Sequence, residues 1–177
     1  MKKFLKEAVQ TSLVILIALL VSLFIVTFVG QRTVVDGESM EDTLYHNDNL
    51  IVDKISYRFN EPERFDVIVF PAHYDSKTYL VKRVIALPGE TIYIDEKGSI
   101  YIDDVLLEDD YGTEVMLSAG NAREPITLGD DEYFVLGDNR NHSLDSRDYM
   151  VGNINRDDII GRAWVRIYPF DQIGFVK

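Results

Sequence analysis

A serine in a short glycine-containing stretch is the first residue that could do chemistry on a peptide bond. Ser39 lies in Gly37-Glu38-Ser39-Met40-Glu41-Asp42-Thr43-Leu44, soon after a long apolar run ends. A serine hydroxyl is a weak nucleophile until a neighbouring base removes its proton. Taken alone, such a serine more often caps a helix or forms a turn. The rest of the chain must therefore supply a base and the elements that position it.

Two residues are candidates for that base. His142, in Asn141-His142-Ser143-Leu144-Asp145, would suit a Ser–His–Asp triad, but a histidine in so polar a loop is usually solvated. Lys82 lies on a predicted strand, where alternation places it in an otherwise apolar row. If that row is buried, desolvation favours the neutral amine, which can act as a general base. If the row faces outward, Lys82 reaches water.

Two further segments have structural interpretations when taken alone. Arg83 lies on the opposite face of the Lys82 strand, which indicates an ion-pairing rather than a catalytic role. The stretch from Gly137 to Arg147 is rich in Gly, Asp, Asn and Ser. It is typical of an ordered loop with Asx turns, closed by Asp–Arg pairs.

Composition excludes several classes of protein. The chain has 177 residues and no cysteine, so disulfides and Cys-ligated metals are absent. Its three histidines lie in different contexts, so neither a zinc site nor a cofactor is predicted. The net charge of −12 divides into +2 for the first 30 residues and −14 for the rest. Nucleic acid is therefore an unsuitable partner, because phosphate contacts need clustered Lys and Arg.

A long apolar segment near the N-terminus predicts a membrane anchor. Residues 8–30 would span roughly 34 Å as a helix, enough to cross a bilayer core. A cleaved signal peptide is the alternative, but its apolar part is shorter and ends in small residues. The lysines at the N-terminal end predict that residues 1–7 are cytoplasmic and that residues 31–177 lie outside the cytoplasm.

The remainder predicts a mainly β domain. Short apolar runs alternate with turns, and Thr91–Asp95 and Ser99–Asp103 form the clearest hairpin. So many strands in so short a chain predict a compact antiparallel domain, folded over or barrel-like, because closure limits exposed edges. Residues 108–125 are polar and predict a flexible excursion.

Taken together, the three segments resemble the bacterial type I signal peptidases, in their single-anchor Gram-positive-like form. The family's serine box, S-M-x-P-T-L, is similar to Ser39–Leu44. Its lysine box, roughly Y-x-V-K-R-V-x-x-x-P-G-D, is similar to Tyr79–Glu90. Its third box, G-D-N-R-x-x-S-x-D-S-R, is found complete at Gly137–Arg147. The resemblance extends from the anchor to Arg162, which is most of the chain.

The resemblance implies a role for each matching residue. Ser39 would be the nucleophile, with its backbone N–H facing the oxyanion, and Lys82 would be the general base. Ser143 would hydrogen-bond and orient the Lys82 amine. Asp145 and Arg147 would pair and brace the site, together with Arg83.

Three positions depart from the family pattern. Asp42 replaces the proline of the serine box, which removes a fixed φ and adds a carboxylate that would oppose catalysis if it lay near Lys82. Gly37 stands where some members carry a serine that donates to the oxyanion. Glu90 replaces the aspartate that ends the lysine box, a minor change.

The implied activity is signal peptidase I, an endopeptidase that removes signal peptides from exported preproteins after small A-x-A-like residues. The peptide would bind by strand addition beside apolar pockets, whose candidate walls are Met40, Leu80 and Val84. Its partners would be preproteins, the lipid bilayer and translocation machinery. A self-cleaving Ser–Lys repressor is a poor alternative, because such proteins are soluble and carry DNA-binding segments. A membrane-tethered binding protein without activity is the alternative from another class.

Overall fold

The computed structural model describes residues 2–24, 27, 29–112 and 114–177. These residues contain one α-helix, α1 (Lys2–Phe24), followed by a mainly antiparallel β domain. The strands of the described chain are β1 (Gly30–Val34), β2 (Asn49–Asp53), β3 (Val67–Ala72), β4 (Asp75–Ala86), β5 (Thr91–Ile94), β6 (Ile100–Ile102), β7 (Val105–Leu106), β8 (Ile126–Thr127), β9 (Glu132–Leu136), β10 (Ile154–Asn155), β11 (Gly161–Tyr168) and β12 (Gly174–Phe175).

Helix α1 occupies most of the predicted anchor, and its side chains from Val9 to Phe24 are exposed. Among the described residues, no helix combines the length and the apolarity needed to cross a membrane. The prediction that residues 8–30 form a membrane-spanning helix is therefore not confirmed. Its last residue, Gly30, is the first residue of β1. Ile25, Val26 and Phe28 lie outside the described residues.

The larger sheet carries most of the domain. Its strand order is β1-β2-β11-β3-β4-β9-β10, with β12 paired to β11, and every pair is antiparallel. Within the described residues, β1 and β10 end the order, so hydrogen bonding does not close this sheet into a barrel. Strand β4 lies near the middle of the order, which explains why its second half is buried on both faces.

The smaller sheet has the order β7-β6-β5-β8. Its centre is the hairpin predicted from alternating isoleucines, and the register Ile92↔Ile102 confirms that pairing. Ile92 and Ile102 share one apolar cluster with Ile85 of β4 and Phe134 of β9. One face of the larger sheet is therefore folded onto the smaller sheet, and the two sheets share a core.

The polar stretch 108–125 contains no strand among its described residues but contributes to that shared core. Met116, Ala119 and Ala122 are buried in the cluster between the sheets. Asp109 forms an ion pair of 2.5 Å with Arg140 of the third box. These contacts attach the stretch to the domain at several points.

Strand boundaries differ from the sequence prediction at two places. Residues 72–77, expected as a polar connection, belong largely to a tight hairpin in which Ala72 of β3 faces Asp75 of β4. Strand β1 was not predicted, because it begins at the end of the apolar run; it pairs along its whole length with β2. Both differences arise because pairing with a neighbouring strand overrides local polarity.

Candidate active site

Ser39 is positioned by a tightly turned loop between β1 and β2. The loop is closed by backbone hydrogen bonds from Glu41 N–H to the Glu38 carbonyl, at 3.1 Å, and from Leu44 N–H to the Met40 carbonyl, at 2.7 Å. Met40 and Leu44 are buried in an apolar cluster, which anchors this turn to the domain. Ser39 is held between these anchors, with its side chain partly exposed.

Lys82 reaches the site from the middle of β4. This strand pairs with β3 on one edge, with Ile68 opposite Lys82, and with β9 on the other from Arg83 onward. Lys82 is only 2 % exposed. The alternative of a solvated outer face is therefore excluded by its burial.

The fold brings Ser39 and Lys82 together although 43 residues separate them. Lys82 Nζ lies 2.6 Å from Ser39 Oγ and 3.0 Å from the carbonyl of Val81. A nucleophile within hydrogen-bond reach of a base is the arrangement that an activated serine requires.

The surroundings of Lys82 shift its proton equilibrium towards the neutral amine. Burial lowers the pKa of Lys82 to about 8 from 10.5, because a charged ammonium loses its hydration there. The carboxylates of Asp145 and Asp138 oppose this shift, and Arg147 supports it. Desolvation prevails, so an appreciable fraction of the amine is neutral near pH 8.

The backbone beside Ser39 offers a donor for an oxyanion. Ser39 N–H donates to no other described residue, whereas the Ser39 carbonyl accepts from Asn139 N–H at 3.2 Å. Gly37 has a φ of +108°, a conformation that favours glycine. It brings no side-chain donor, so the stabilisation of an oxyanion here depends on backbone groups.

Arg83 occupies a buried polar hub on the other face of β4. Its Nε and Nη2 bind the two carboxylate oxygens of Asp138 at 2.8 and 2.7 Å, and Nη2 also donates to Thr43 Oγ1 at 3.1 Å. Thr43 Oγ1 in turn donates to Asp138 at 2.5 Å. The hub thus joins the serine box, the lysine box and the third box.

The structural role expected for Arg83 is present, but its partner was not foreseen. Arg83 pairs with Asp138 and not with Asp145 or Arg147. Sequence reasoning missed Asp138 and Thr43 as parts of the site, although both are fixed positions of the boxes. No local pattern reveals a pairing across 55 residues.

Asp145 and Arg147 do pair with each other. Arg147 Nε and Nη2 each lie 2.8 Å from a carboxylate oxygen of Asp145, a bidentate arrangement. Asp145 also accepts from Gly137 N–H at 3.1 Å. The pair thereby fixes the start of the loop whose Asn139 holds the Ser39 carbonyl.

Ser143 lies in the site but does not make the expected hydrogen bond to Lys82. Its Oγ is buried and has no hydrogen-bond partner among the described residues. It packs over Gly137, where an added Cβ would lie 2.2 Å from Ser143 Oγ and 2.4 Å from the Ser39 carbonyl oxygen. Ser143 Oγ and the Ser39 carbonyl oxygen therefore both lie close to Gly137, which leaves no space for a side chain at that position.

A groove runs past Ser39 and Lys82. It has a volume of about 280 Å³ and is bordered by β1, the serine loop and residues 77–82 of β4. Met40 and Leu80 lie in its wall, as expected. Val84 does not, because it is fully buried in a core cluster with Ile68 and Phe70. Its assignment to a substrate pocket is wrong, since the strand enters the core before reaching it.

His142 makes no hydrogen bond to Ser39 or Lys82 among the described residues. Its side chain is exposed, and its backbone N–H donates to the Asn139 carbonyl at 3.0 Å. Ser39 Oγ is in contact with the Lys82 amine instead. Of the two candidate bases, Lys82 and not His142 is the one that contacts the Ser39 hydroxyl in the described part of the chain.

Asp42 adopts a backbone conformation that proline cannot. Its φ is +83°, whereas a proline ring fixes φ near −65°. Aspartate is among the non-glycine residues that tolerate this region. The side chain is exposed, and Asp42 is not among the charges that shift the pKa of Lys82.

Comparisons with known proteins agree on one family. The family described as signal peptidase, peptidase S26, matches residues 8–168. Probable signal peptidase I-2 of Synechocystis sp. is 37% identical over 166 residues, covering 90% of this chain and 72% of that protein. Signal peptidase I of Leptolyngbya laminosa is 39% identical over 165 residues, covering 89% and 78%. Signal peptidase I P of Bacillus subtilis subsp. natto is 34% identical over 170 residues, covering 92% and 90%.

The match to the family extends over most of the chain and includes all three segments that meet around Ser39. The chain belongs to the signal peptidase family, peptidase S26.

Proposed function

We propose that this chain is a signal peptidase I, which cuts N-terminal signal peptides from exported preproteins after small, A-x-A-like residues. Ser39 is the nucleophile and Lys82 the general base. The observation that carries these roles is the 2.6 Å contact between Ser39 Oγ and the amine of a lysine that is 2 % exposed. The names of the relatives support the same substrate class.

The groove suits an extended peptide. Among the described residues, β1 pairs only with β2, and residues 79–82 of β4 pair only with β3. The groove is bordered by both of these strands, so the backbone of a substrate can add to their unpaired edges. Apolar side chains, including Met40 and Leu80, form part of the wall near Ser39 and favour small apolar residues before the scissile bond.

The geometry supports a two-step hydrolysis. The neutral Lys82 amine takes the proton of Ser39 Oγ as this oxygen attacks the scissile carbonyl carbon. Ser39 N–H donates to the resulting oxyanion; such a donor is worth about 2.7–4 kcal/mol in other hydrolases. The Lys82 ammonium then gives its proton to the departing amine, and the C–N bond breaks. Lys82 then deprotonates a water that cleaves the acyl–Ser39 ester, and the Lys82 ammonium returns this proton to the departing Ser39 Oγ, which restores the enzyme.

Asp145, Arg147 and Ser143 support this chemistry indirectly in our proposal. The Asp145–Arg147 pair fixes the loop that holds the Ser39 carbonyl. Ser143 Oγ has no hydrogen-bond partner among the described residues, and in our proposal the hydroxyl turns towards the Lys82 amine. Such a movement would accompany substrate binding, since apo geometry often tightens in the complex.

Attachment to the cell membrane completes the proposal. The anchor is the apolar segment 8–30, with residues 1–7 cytoplasmic and the β domain outside, and it rests on the sequence. The exposed apolar side chains of α1 are compatible with a lipid environment. A substrate whose own apolar segment is in the bilayer would meet a tethered enzyme at the same surface, beside the translocation machinery.

The test is cleavage of a purified preprotein by the detergent-solubilised full chain. Ser39→Ala should lower kcat/KM roughly a thousandfold or more, because the nucleophile is lost. Lys82→Met, which keeps the side chain's length and apolar stem, should cost about 10²–10⁴-fold through loss of the base. His142→Ala is the matched control and should leave the rate within about twofold of wild type.

Near wild-type cleavage by the Ser39 or Lys82 variant would reject the dyad. The non-catalytic alternative predicts that wild-type protein binds the preprotein without cutting it. A product with an N-terminus other than the residue after the small A-x-A-like motif would contradict the proposed specificity.

A further inference from the structure

The residues after β11 return to the buried face of the active site. Strand β12 pairs with β11 through Phe175 opposite Val165, and Val176 N–H donates to the Trp164 carbonyl at 3.0 Å. Val176 then packs against the apolar cluster that contains Met40 and Leu44 of the serine loop. The segment 174–177 thus crosses from the sheet edge to the loop that carries Ser39.

Lys177 makes a backbone contact with the polar hub. Its carbonyl oxygen accepts from Arg83 Nη2 at 2.9 Å. The same nitrogen donates to Thr43 and Asp138, while Arg83 Nη1 donates to the Phe65 carbonyl at 2.8 Å. The guanidinium has no exposed surface and also lies 3.5 Å from the ring centre of Tyr111. The Lys177 carbonyl is therefore one of a small set of acceptors that fix a fully buried cation.

Arg83 is well placed to transmit this contact to the reacting groups. It follows Lys82 directly in β4. Arg83 contacts the end of the serine loop through Thr43. It also binds Asp138, which directly precedes Asn139, and the Asn139 N–H donates to the Ser39 carbonyl. A displaced Arg83 would therefore move both Ser39 Oγ and Lys82 Nζ, which must lie within hydrogen-bond distance of each other.

We propose that segment 174–177 is a clamp that positions Ser39 against Lys82 by holding Arg83 and the serine loop. The clamp acts through the packing of Val176 and the carbonyl of Lys177. Neither residue lines the groove beside Ser39. The clamp therefore affects the chemical step more than peptide binding. This inference rests on the proposed peptidase function.

Substitutions at Val176 test the clamp. Val176→Ile keeps the packing and should retain wild-type kcat. Val176→Ala should lower kcat moderately, and Val176→Asp should lower it about ten- to a hundredfold, since misplacement of catalytic groups by about 1 Å has effects of this size. KM for the preprotein should change less than kcat, because Val176 does not line the groove and reaches its wall only through the cluster that contains Met40. Phe170→Asp, which adds the same charge at a residue 78% exposed, is the matched control and should have no effect.

The pH dependence separates positioning from simple loss of folded protein. A loosened clamp lets water reach Lys82, so the midpoint of the acidic limb of kcat/KM should move upward in the alanine and aspartate variants. Unfolding of part of the sample would lower the rate in proportion to the unfolded fraction at each pH, so the rate per folded molecule would keep the wild-type midpoint. The folded fraction is measured in parallel by circular dichroism.

Two results would overturn the clamp while leaving the peptidase function intact. One is unchanged kcat in the folded Val176→Asp protein. The other is a loss of activity that follows the folded fraction, with the wild-type pH midpoint. If wild type itself does not cleave the preprotein, the proposed function fails first.

Discussion

At the scale of single residues, the sequence identified Ser39 and Lys82 as candidate nucleophile and base, but it did not reveal whether Lys82 is buried. Alternation placed Lys82 in an apolar row, yet gave no reason to choose burial over exposure. The decision comes from the packing of the folded domain around β4, which leaves Lys82 2 % exposed and in contact with Ser39. Burial and pairing with distant strands are tertiary properties, and a local pattern does not contain them.

Long-range polar partners were less predictable. Asp138 and Thr43 come from boxes that lie 55 and 40 residues from Arg83, and only the fold joins them. The expected Ser143–Lys82 hydrogen bond is absent in the described part of the chain, where the buried Ser143 hydroxyl lies close to Gly137 without a hydrogen-bond partner. The place of Ser143 in the third box predicts that it lies near the site, but it does not predict which group its hydroxyl contacts.

The lowered pKa of Lys82 makes a prediction at the same scale. With a pKa of about 8, roughly a tenth of the amine is neutral at pH 7 and most of it at pH 9. Because the neutral form is the base, kcat/KM should rise about tenfold per pH unit below 7 and level off above about 8. A pH–rate profile of preprotein cleavage measures this. A rate that is flat from pH 6 to 9 would contradict the assignment of Lys82 as base.

At the scale of elements, strand existence was predicted well and strand connections less well. The β5–β6 hairpin was recognised from its alternating isoleucines, because one of its faces lies in the shared core. The β3–β4 hairpin was missed, because its turn and the first residues of β4 are polar. The turn that carries Ser39 was recognised only as a loop, since its conformation depends on Met40 and Leu44 being buried.

The Asp42 backbone gives a prediction for that turn. Asp42→Pro should destabilise the fold by about 1–3 kcal/mol or more, because proline cannot adopt a φ of +83° without rebuilding the turn. Asp42→Asn keeps the size of the side chain and tolerates the same φ. It should change stability by less than about 1 kcal/mol and leave the acidic limb of the pH–rate profile in place.

Urea unfolding and the pH–rate profile measure the two effects separately. Equal stability of the proline variant and wild type would show that the turn readily adopts the conformation compatible with the family motif. A shift of the acidic limb in the asparagine variant would show that the carboxylate does act on Lys82.

At the scale of the whole molecule, composition predicted the division between an apolar N-terminal segment and an acidic β domain. The charge pattern of +2 before residue 30 and −14 after it is fixed by the sequence. The pairing of β1 with β2 begins at Gly30, so the domain starts where the predicted anchor ends. Chain direction relative to a bilayer follows from the lysines at the N-terminal end and not from the fold.

The proposed orientation predicts a labelling pattern in intact cells. The chain has no cysteine, so one introduced cysteine gives an unambiguous signal. Leu117→Cys places a thiol where the side chain is 84% exposed on the β domain, and a membrane-impermeant maleimide should label it without permeabilisation. Lys6→Cys, in the segment assigned to the cytoplasm, should be labelled only after permeabilisation. Because both positions are exposed, a difference between them reports the side of the membrane and not burial. Labelling of Lys6→Cys but not Leu117→Cys in intact cells would reverse the orientation, and the substrate would then have to be cut before export.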